Sequence, residues 1–179
     1  MNKDELTPPV SELDHVKGPS SAAVTLVQYG DYECPFTIPS HWQIELLLKN
    51  FPKQFRFVFR QFPLVRKHRF AMRAAESTEA AGAQGKFWEM HSGFLTQKYH
   101  LGWEGILDGA RALDLDLPRF ESEVLDHVHR PRIQEHINSG IRSGVASTPS
   151  YFLNGAYYDG PDQYDDFAKL IEEISNSKK

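Results

Sequence analysis

One stretch constrains this chain more than any other. Residues 24–29, Val-Thr-Leu-Val-Gln-Tyr, form an apolar, β-branched run that predicts a buried strand. A turn follows at Gly30-Asp31, and then Cys34, the sole cysteine among the 179 residues. Residues 40–49, Ser-His-Trp-Gln-Ile-Glu-Leu-Leu-Leu-Lys, carry apolar side chains at 42, 44, 46, 47 and 48, which predicts a mostly buried helix. Cys34 therefore lies between a strand end and a helix start, where first-turn N–H groups and the helix dipole favour a negative sulfur. The thiolate is the nucleophilic form, so the expectation is a partly exposed, reactive thiol. The alternative is a packed, inert cysteine, since free cysteines are among the most buried residues. Pro35 suits a first helical turn, where a missing N–H breaks no ladder bond.

A second aromatic and β-branched run, residues 55–62 (Phe-Arg-Phe-Val-Phe-Arg-Gln-Phe), predicts another central strand. Strand, helix, strand is a βαβ unit, so the two strands should be parallel. Residues 14–19 predict a short edge strand ending at Gly18-Pro19. Residues 1–13 are polar with a Pro8-Pro9 pair and predict a tail or arm outside the core. Helices are expected over 70–81, 87–95, 103–113, 118–125 and 130–141, then strand–turn–strand over 150–159 about Asn154-Gly155, and a closing amphipathic helix from 162 to 174. About 75 helical residues between two sheet-forming regions imply an inserted helical domain.

Tyr29-Gly-Asp-Tyr-Glu-Cys-Pro-Phe-Thr37 resembles the active-site segment of the DsbA-like branch of the thioredoxin superfamily, which reads aromatic-x-Asp-x-x-Cys-Pro-x-Cys. Gly144-Val-Ala-Ser-Thr-Pro-Ser-Tyr-Phe-Leu-Asn-Gly155 is similar to that family's cis-proline loop and the strand after it, with Thr148-Pro149 as the cis pair. Arg60-Gln-Phe-Pro-Leu64 and Ala81-Gly-Ala-Gln-Gly-Lys-Phe-Trp88 are similar to its strand exit and inserted helical region. The resemblance implies an α/β fold, a thioredoxin-like central sheet with an inserted α-helical domain. The expected division is an N-terminal tail over 1–13, the thioredoxin-like domain over 14–66 and 143–179, and the helical domain over 67–142. It further implies Cys34 as catalytic nucleophile, and a substrate-binding surface of Pro35, Phe36, Thr148 and Pro149, with the Thr148 backbone offered to an extended peptide or glutathione.

The sequence departs from the pattern at Thr37, where the family has its second cysteine. Thr37 lies one helical turn from Cys34, and its hydroxyl either donates to a thiolate there or caps first-turn N–H groups. It cannot attack a mixed disulfide. Exchange at Cys34 thus needs an external thiol for release, with glutathione as co-substrate and no other cofactor. Oxidation of Cys34 to a sulfenic acid, resolved externally, is a related route. The leading expectation is a monothiol thiol–disulfide oxidoreductase acting on protein or glutathione thiols and disulfides. The alternatives are a redox-inactive binding protein on the same fold, and a glutathione-dependent transferase or isomerase of the kappa-like branch.

Composition narrows the rest. A net charge of −4 and a pI near 6.1 give no electrostatic footprint for nucleic acid. The basic residues 56, 60, 66, 67 and 69 predict a solvated face. No apolar run approaches the roughly 18 residues of a membrane span, and no signal-length apolar stretch opens the chain. With one cysteine and so no internal disulfide, the expectation is cytoplasmic. Eight histidines include His127, His129 and His136 near one another, without a cysteine or carboxylate set at metal-ligand spacing, so no metal site is expected. Gly82-Ala-Gln-Gly-Lys86 lacks the full phosphate-loop pattern, and there is no Gly-x-Ser-x-Gly element. His68, after the second strand, is expected at the surface, with a place near the cleft as the alternative.

Overall fold

A computed structural model describes residues 5–177. Its elements run β1 (His15–Lys17), β2 (Val24–Gly30), α1 (Thr37–Asn50), β3 (Phe55–Gln61), α2 (Ala71–Gly82), α3 (Phe87–Leu95), α4 (Trp103–Ala112), α5 (Leu117–Leu125), α6 (Arg130–Arg142), β4 (Ser150–Leu153), β5 (Ala156–Tyr158) and α7 (Tyr164–Ser177). The strands form one sheet in the order β1-β3-β2-β4-β5. β2 and β3 pair in parallel, as the βαβ reading requires, with Val27 opposite Val58. β1 and β4 pair antiparallel with β3 and β2, and β5 with β4. The β4–β5 turn is Asn154-Gly155, both at positive φ. This is the thioredoxin-like α/β sheet with helices 2–6 between β3 and β4.

The pleat sorts side chains to two faces. Val24, Leu26, Phe55, Phe57 and Phe59 join a large apolar cluster with Ile44 and Leu47 of α1, Phe87, Met90 and Phe94 of α3, and Phe167 and Ile171 of α7. Val27, Tyr29, Val58 and Phe152 point the other way, into a smaller cluster with Phe62, Val145 and Leu6.

Two expectations need correcting here. The segment after Glu5 does not trail outside the core. Leu6 is buried, its N–H donates to Gly155 O at 2.8 Å, and the Thr7 N–H donates to Ser143 Oγ at 2.8 Å. Arg60, itself buried, holds the carbonyls of Pro8 and Pro9 at 3.0 and 3.2 Å and pairs bidentately with buried Asp14. The arm covers part of the second cluster, to which Leu6 belongs and against which Val10 packs. Second, α1 is not mostly buried: Trp42 and Leu46 are 64% and 42% exposed, whereas Ile44 and Leu47 are covered. A helix packed by one stripe must show its other side, however apolar the residues there.

Candidate active site

β2 delivers the site. Gly30, the last residue of β2, has no room for a Cβ: one would meet the Phe59 ring at 2.4 Å and Thr37 Cγ2 at 3.1 Å. The close approach lets α1 begin directly over the strand end. Between them the backbone turns tightly, with the Cys34 N–H donating to Asp31 O at 3.1 Å. The Cys34 carbonyl accepts from the N–H groups of Thr37 and Ile38 at 3.1 and 3.2 Å, so Cys34 sits at the mouth of the first helical turn. Pro35 is exposed and Phe36 is 72% exposed, forming a bare apolar rim beside the thiol.

The sulfur is more covered than the sequence suggests. Cys34 is 3% exposed, which corrects the expectation of a partly exposed thiol. The cover is the loop before β4: Cys34 Sγ donates to Thr148 O at 3.2 Å, joining two stretches 114 residues apart. The Thr148–Pro149 peptide bond is cis. Thr148 is also buried, and its Oγ1 has no hydrogen-bond partner among the described residues. Of the residues singled out from sequence, Cys34, Thr148 and Pro149 therefore form one cluster, with Pro35 and Phe36 at its edge.

Thr37 has a different geometry from the one its spacing suggests. It is fully buried, and its Oγ1 accepts the Asp31 N–H at 3.5 Å; it is not a hydrogen-bond partner of the Cys34 sulfur. Beneath it runs a neutral polar chain that the sequence does not reveal. Ser40 Oγ donates to Thr37 O at 2.6 Å, and buried Gln28 donates through Nε2 to Ser40 Oγ at 2.7 Å and to Tyr151 OH at 3.2 Å. Gln28 and Tyr151 face each other across β2 and β4. Burial pushes the Tyr151 phenol up to about 12, with Asp162 and Cys34 adding to the effect, so it stays protonated.

Asp31 enters the sequence pattern as a turn residue and as the acid of the family-like segment, without an assigned role; the structure gives it one. Its buried carboxylate accepts from Glu33 N at 2.9 Å and Leu64 N at 2.8 Å, and meets His68 Nδ1 at 2.8 Å. Glu33 Oε2 in turn accepts the Phe70 N–H at 2.6 Å. His68, expected at the surface, is only 17% exposed on its side chain and belongs to this clamp. An acid at the strand end, three residues before the cysteine, was the available signal. The histidines weighed as ligands are occupied separately: His127 by Glu76, His129 by Glu123, and His136 by the Gln61 N–H. No His/Cys/Asp/Glu group able to hold a metal occurs among the described residues.

Comparison with known proteins agrees with this geometry. The thioredoxin family profile matches residues 11–173. The chain belongs to the thioredoxin family. Within that family its fold is DsbA-like. The oxidised crystal structure of BdbD from Bacillus subtilis superposes with a TM-score of 0.83, at 18% identity, over 97% of this chain and 98% of that one. The thiol-disulfide exchange protein α-DsbA2 from Wolbachia pipientis gives 0.75, at 20% identity, over 92% and 88%. A curated relative, Na(+)/H(+) antiporter NhaA 1 of Salinispora arenicola, is 41% identical over 157 residues, 88% of this chain but 24% of that protein. This thioredoxin-family chain thus spans about a quarter of the antiporter it matches. Among the described residues, no helix is long and apolar enough to cross a membrane.

Proposed function

We propose that this protein is a single-cysteine thiol–disulfide oxidoreductase of the DsbA-like type. The observation that carries the reading is Cys34 Sγ seated 3.2 Å from the Thr148 carbonyl, a nucleophile placed against the loop whose backbone would pair with an extended substrate. The Cys34 thiolate attacks one sulfur of a disulfide, forming Cys34–S–S–R and releasing the other half as a thiolate. No second cysteine in the 179 residues displaces R, so an external low-molecular-weight thiol of the glutathione type attacks the R sulfur of the mixed disulfide, carries R away as a new disulfide and restores the Cys34 thiolate. Phe36 and Pro35 form the apolar edge against which R packs. A lone exchanging thiol of this kind suits a reducing compartment such as the cytoplasm. The antiporter relatives lend the chain no transport role, since the match covers only about a quarter of their length.

A redox-inactive binding protein is the second reading, favoured by Thr37 and by the 3% exposure of Cys34. One experiment separates the two. The folded protein is incubated with oxidised glutathione and its intact mass measured, with Cys34→Ser as control. The oxidoreductase reading expects one glutathione adduct on the wild type, none on the variant, and release by excess reduced glutathione. No adduct without denaturant overturns it in favour of binding alone.

A further inference from the structure

At the start of α2, where the Phe70 N–H donates to Glu33, lies a recess of about 260 Å³ that the exchange chemistry does not use, lined by Arg69, Phe70, Met72, Arg73, Glu76, His127 and Arg130. Its walls come from the loop before α2, the exposed side of α2 and the start of α6. Arg69, in the bend just before α2, and Arg73, in the first turn of α2, both line the recess. Both are exposed, and among the described residues neither makes an ion pair. They are braced all the same: the Arg69 guanidinium lies 5.3 Å from the Phe70 ring centroid and that of Arg73 lies 5.8 Å from the Trp103 ring. Stacking of this kind orients a guanidinium and leaves its N–H fork free.

The third arginine is held differently. Arg130 Nε donates to Glu76 Oε1 at 2.9 Å, and His127 Nδ1 meets the same oxygen at 3.0 Å. Glu76 is buried, 3% exposed on its side chain, so its charge serves as an anchor and is turned away from solvent. Glu33, outside the lining, has one of its oxygens taken by the Phe70 N–H. Among the lining residues, three arginines stand against one engaged carboxylate, Glu76, which leaves a cationic concavity on a chain whose net charge is −4.

We propose that this recess is an anion site, and that its occupant is an acidic segment of the polypeptide exchanging with Cys34. Two exposed guanidinium forks lining one recess are suited to pair with the carboxylates of an acidic stretch. The Phe70–Glu33 hydrogen bond ties one wall of the recess to the turn bearing Cys34. An extended peptide advances about 3.3 Å per residue, so a few residues carry it from one to the other. The choice of occupant rests on the exchange reading above; the anion site does not.

The test therefore begins without cysteine chemistry. Binding of a cysteine-free hexapeptide of aspartate and glutamate is measured by titration calorimetry at low ionic strength, against a lysine hexapeptide of equal length. The acidic peptide is expected to bind, to weaken as salt rises, and to lose at least about tenfold in affinity in the exposed double variant Arg69→Gln/Arg73→Gln. Absence of binding by both the acidic peptide and inorganic phosphate, or equal binding by the variant, overturns the anion site whatever Cys34 does. Inorganic phosphate that binds while the peptide does not overturns the peptide occupant. Cysteine-bearing versions of both peptides, as mixed disulfides with a small thiol, are then reacted with the protein. Faster transfer of the acidic one to Cys34 supports the full proposal, and equal rates overturn the link to exchange. Acidic-peptide binding with no transfer from either peptide keeps the anion site and removes the exchange reading.

Discussion

At the scale of single residues, the site depends on side chains whose names do not advertise chemistry. Cys34 and the Thr148-Pro149 pair are legible in sequence because a lone thiol at a strand-to-helix turn and a Thr-Pro before a strand are local signals. Gln28 and Tyr151 are not, because their importance lies in contacts 12 and 123 residues away, and Asp31 is visible in the sequence pattern while its contacts to Leu64 and His68 are not. Asp31 illustrates the magnitude. Its carboxylate satisfies two backbone N–H groups and His68 in a place closed to water. A buried donor left without an acceptor costs about 1–3 kcal/mol. Asp31→Ala strips two such donors, and should lower the unfolding free energy by about 2–4 kcal/mol in urea titrations. A loss below about 1 kcal/mol would mean that water replaces the carboxylate and that the Cys34 turn is held by other means. Thr37 shows the limit of spacing arguments. One helical turn from Cys34 it is a near neighbour by count, yet its hydroxyl faces the Asp31 N–H.

At the scale of elements, periodicity served well where one face is buried and failed where a face is shared unevenly. β4 and α3 fall where turn signals and apolar spacing put them, because Asn154-Gly155 and Gly85 punctuate the chain on either side. The exposure of Trp42 and Leu46 was illegible, since an apolar residue on a helix says nothing about whether another element arrives to cover it. The docked arm was illegible for the converse reason: a polar, proline-bearing segment buries one residue, Leu6, and is secured by Arg60 from β3. α6 crosses the same face of the sheet, and its approach depends on Gly140. A Cβ there would meet Phe62 Cε2 at 2.7 Å and Tyr29 Cε1 at 3.1 Å. Gly140→Ala gains up to about 1 kcal/mol of helix propensity but overpacks the contact, at a cost of about 1–3 kcal/mol. The sum should be a net destabilisation of roughly 1 kcal/mol, read as a lower urea midpoint with an unchanged slope. A rise in the midpoint would show that Phe62 swings aside without penalty.

At the scale of the whole molecule, buried histidines make stability depend on pH in a defined window. His91 lies in a box of aromatic rings, 4.6 Å from the Phe59 centroid, and meets Tyr32 OH through Nδ1 at 3.0 Å. His41 contacts it at 5.7 Å between centroids. His136 accepts the Gln61 N–H beneath α6. Burial is the leading cause in all three, holding His41 below the ordinary value of 6.5, His91 well below it, and His136 at about 4. The sign follows from where protons bind first. Below pH 6.5 the unfolded chain takes up protons on these rings while the folded chain does not, so acid favours unfolding. Stability is complete above about pH 6.5, and each ring removes up to about 1.4 kcal/mol per pH unit as pH falls towards its folded value. For His136 the loss ends near pH 4. The carboxylates of Asp14 and Glu79 are held low although burial pushes them up, Asp14 by Arg60 and Glu79 by His15 and Arg132, so their contribution is lost only at lower pH still. Urea midpoints measured from pH 7 to 4.5 should therefore fall steadily, before any carboxylate step. His136→Gln can keep an acceptor for the Gln61 N–H while removing one titrating ring, and should make that fall shallower. A flat profile over the same range would mean that the folded protein accepts these protons, and that the rings are solvated where the packing encloses them.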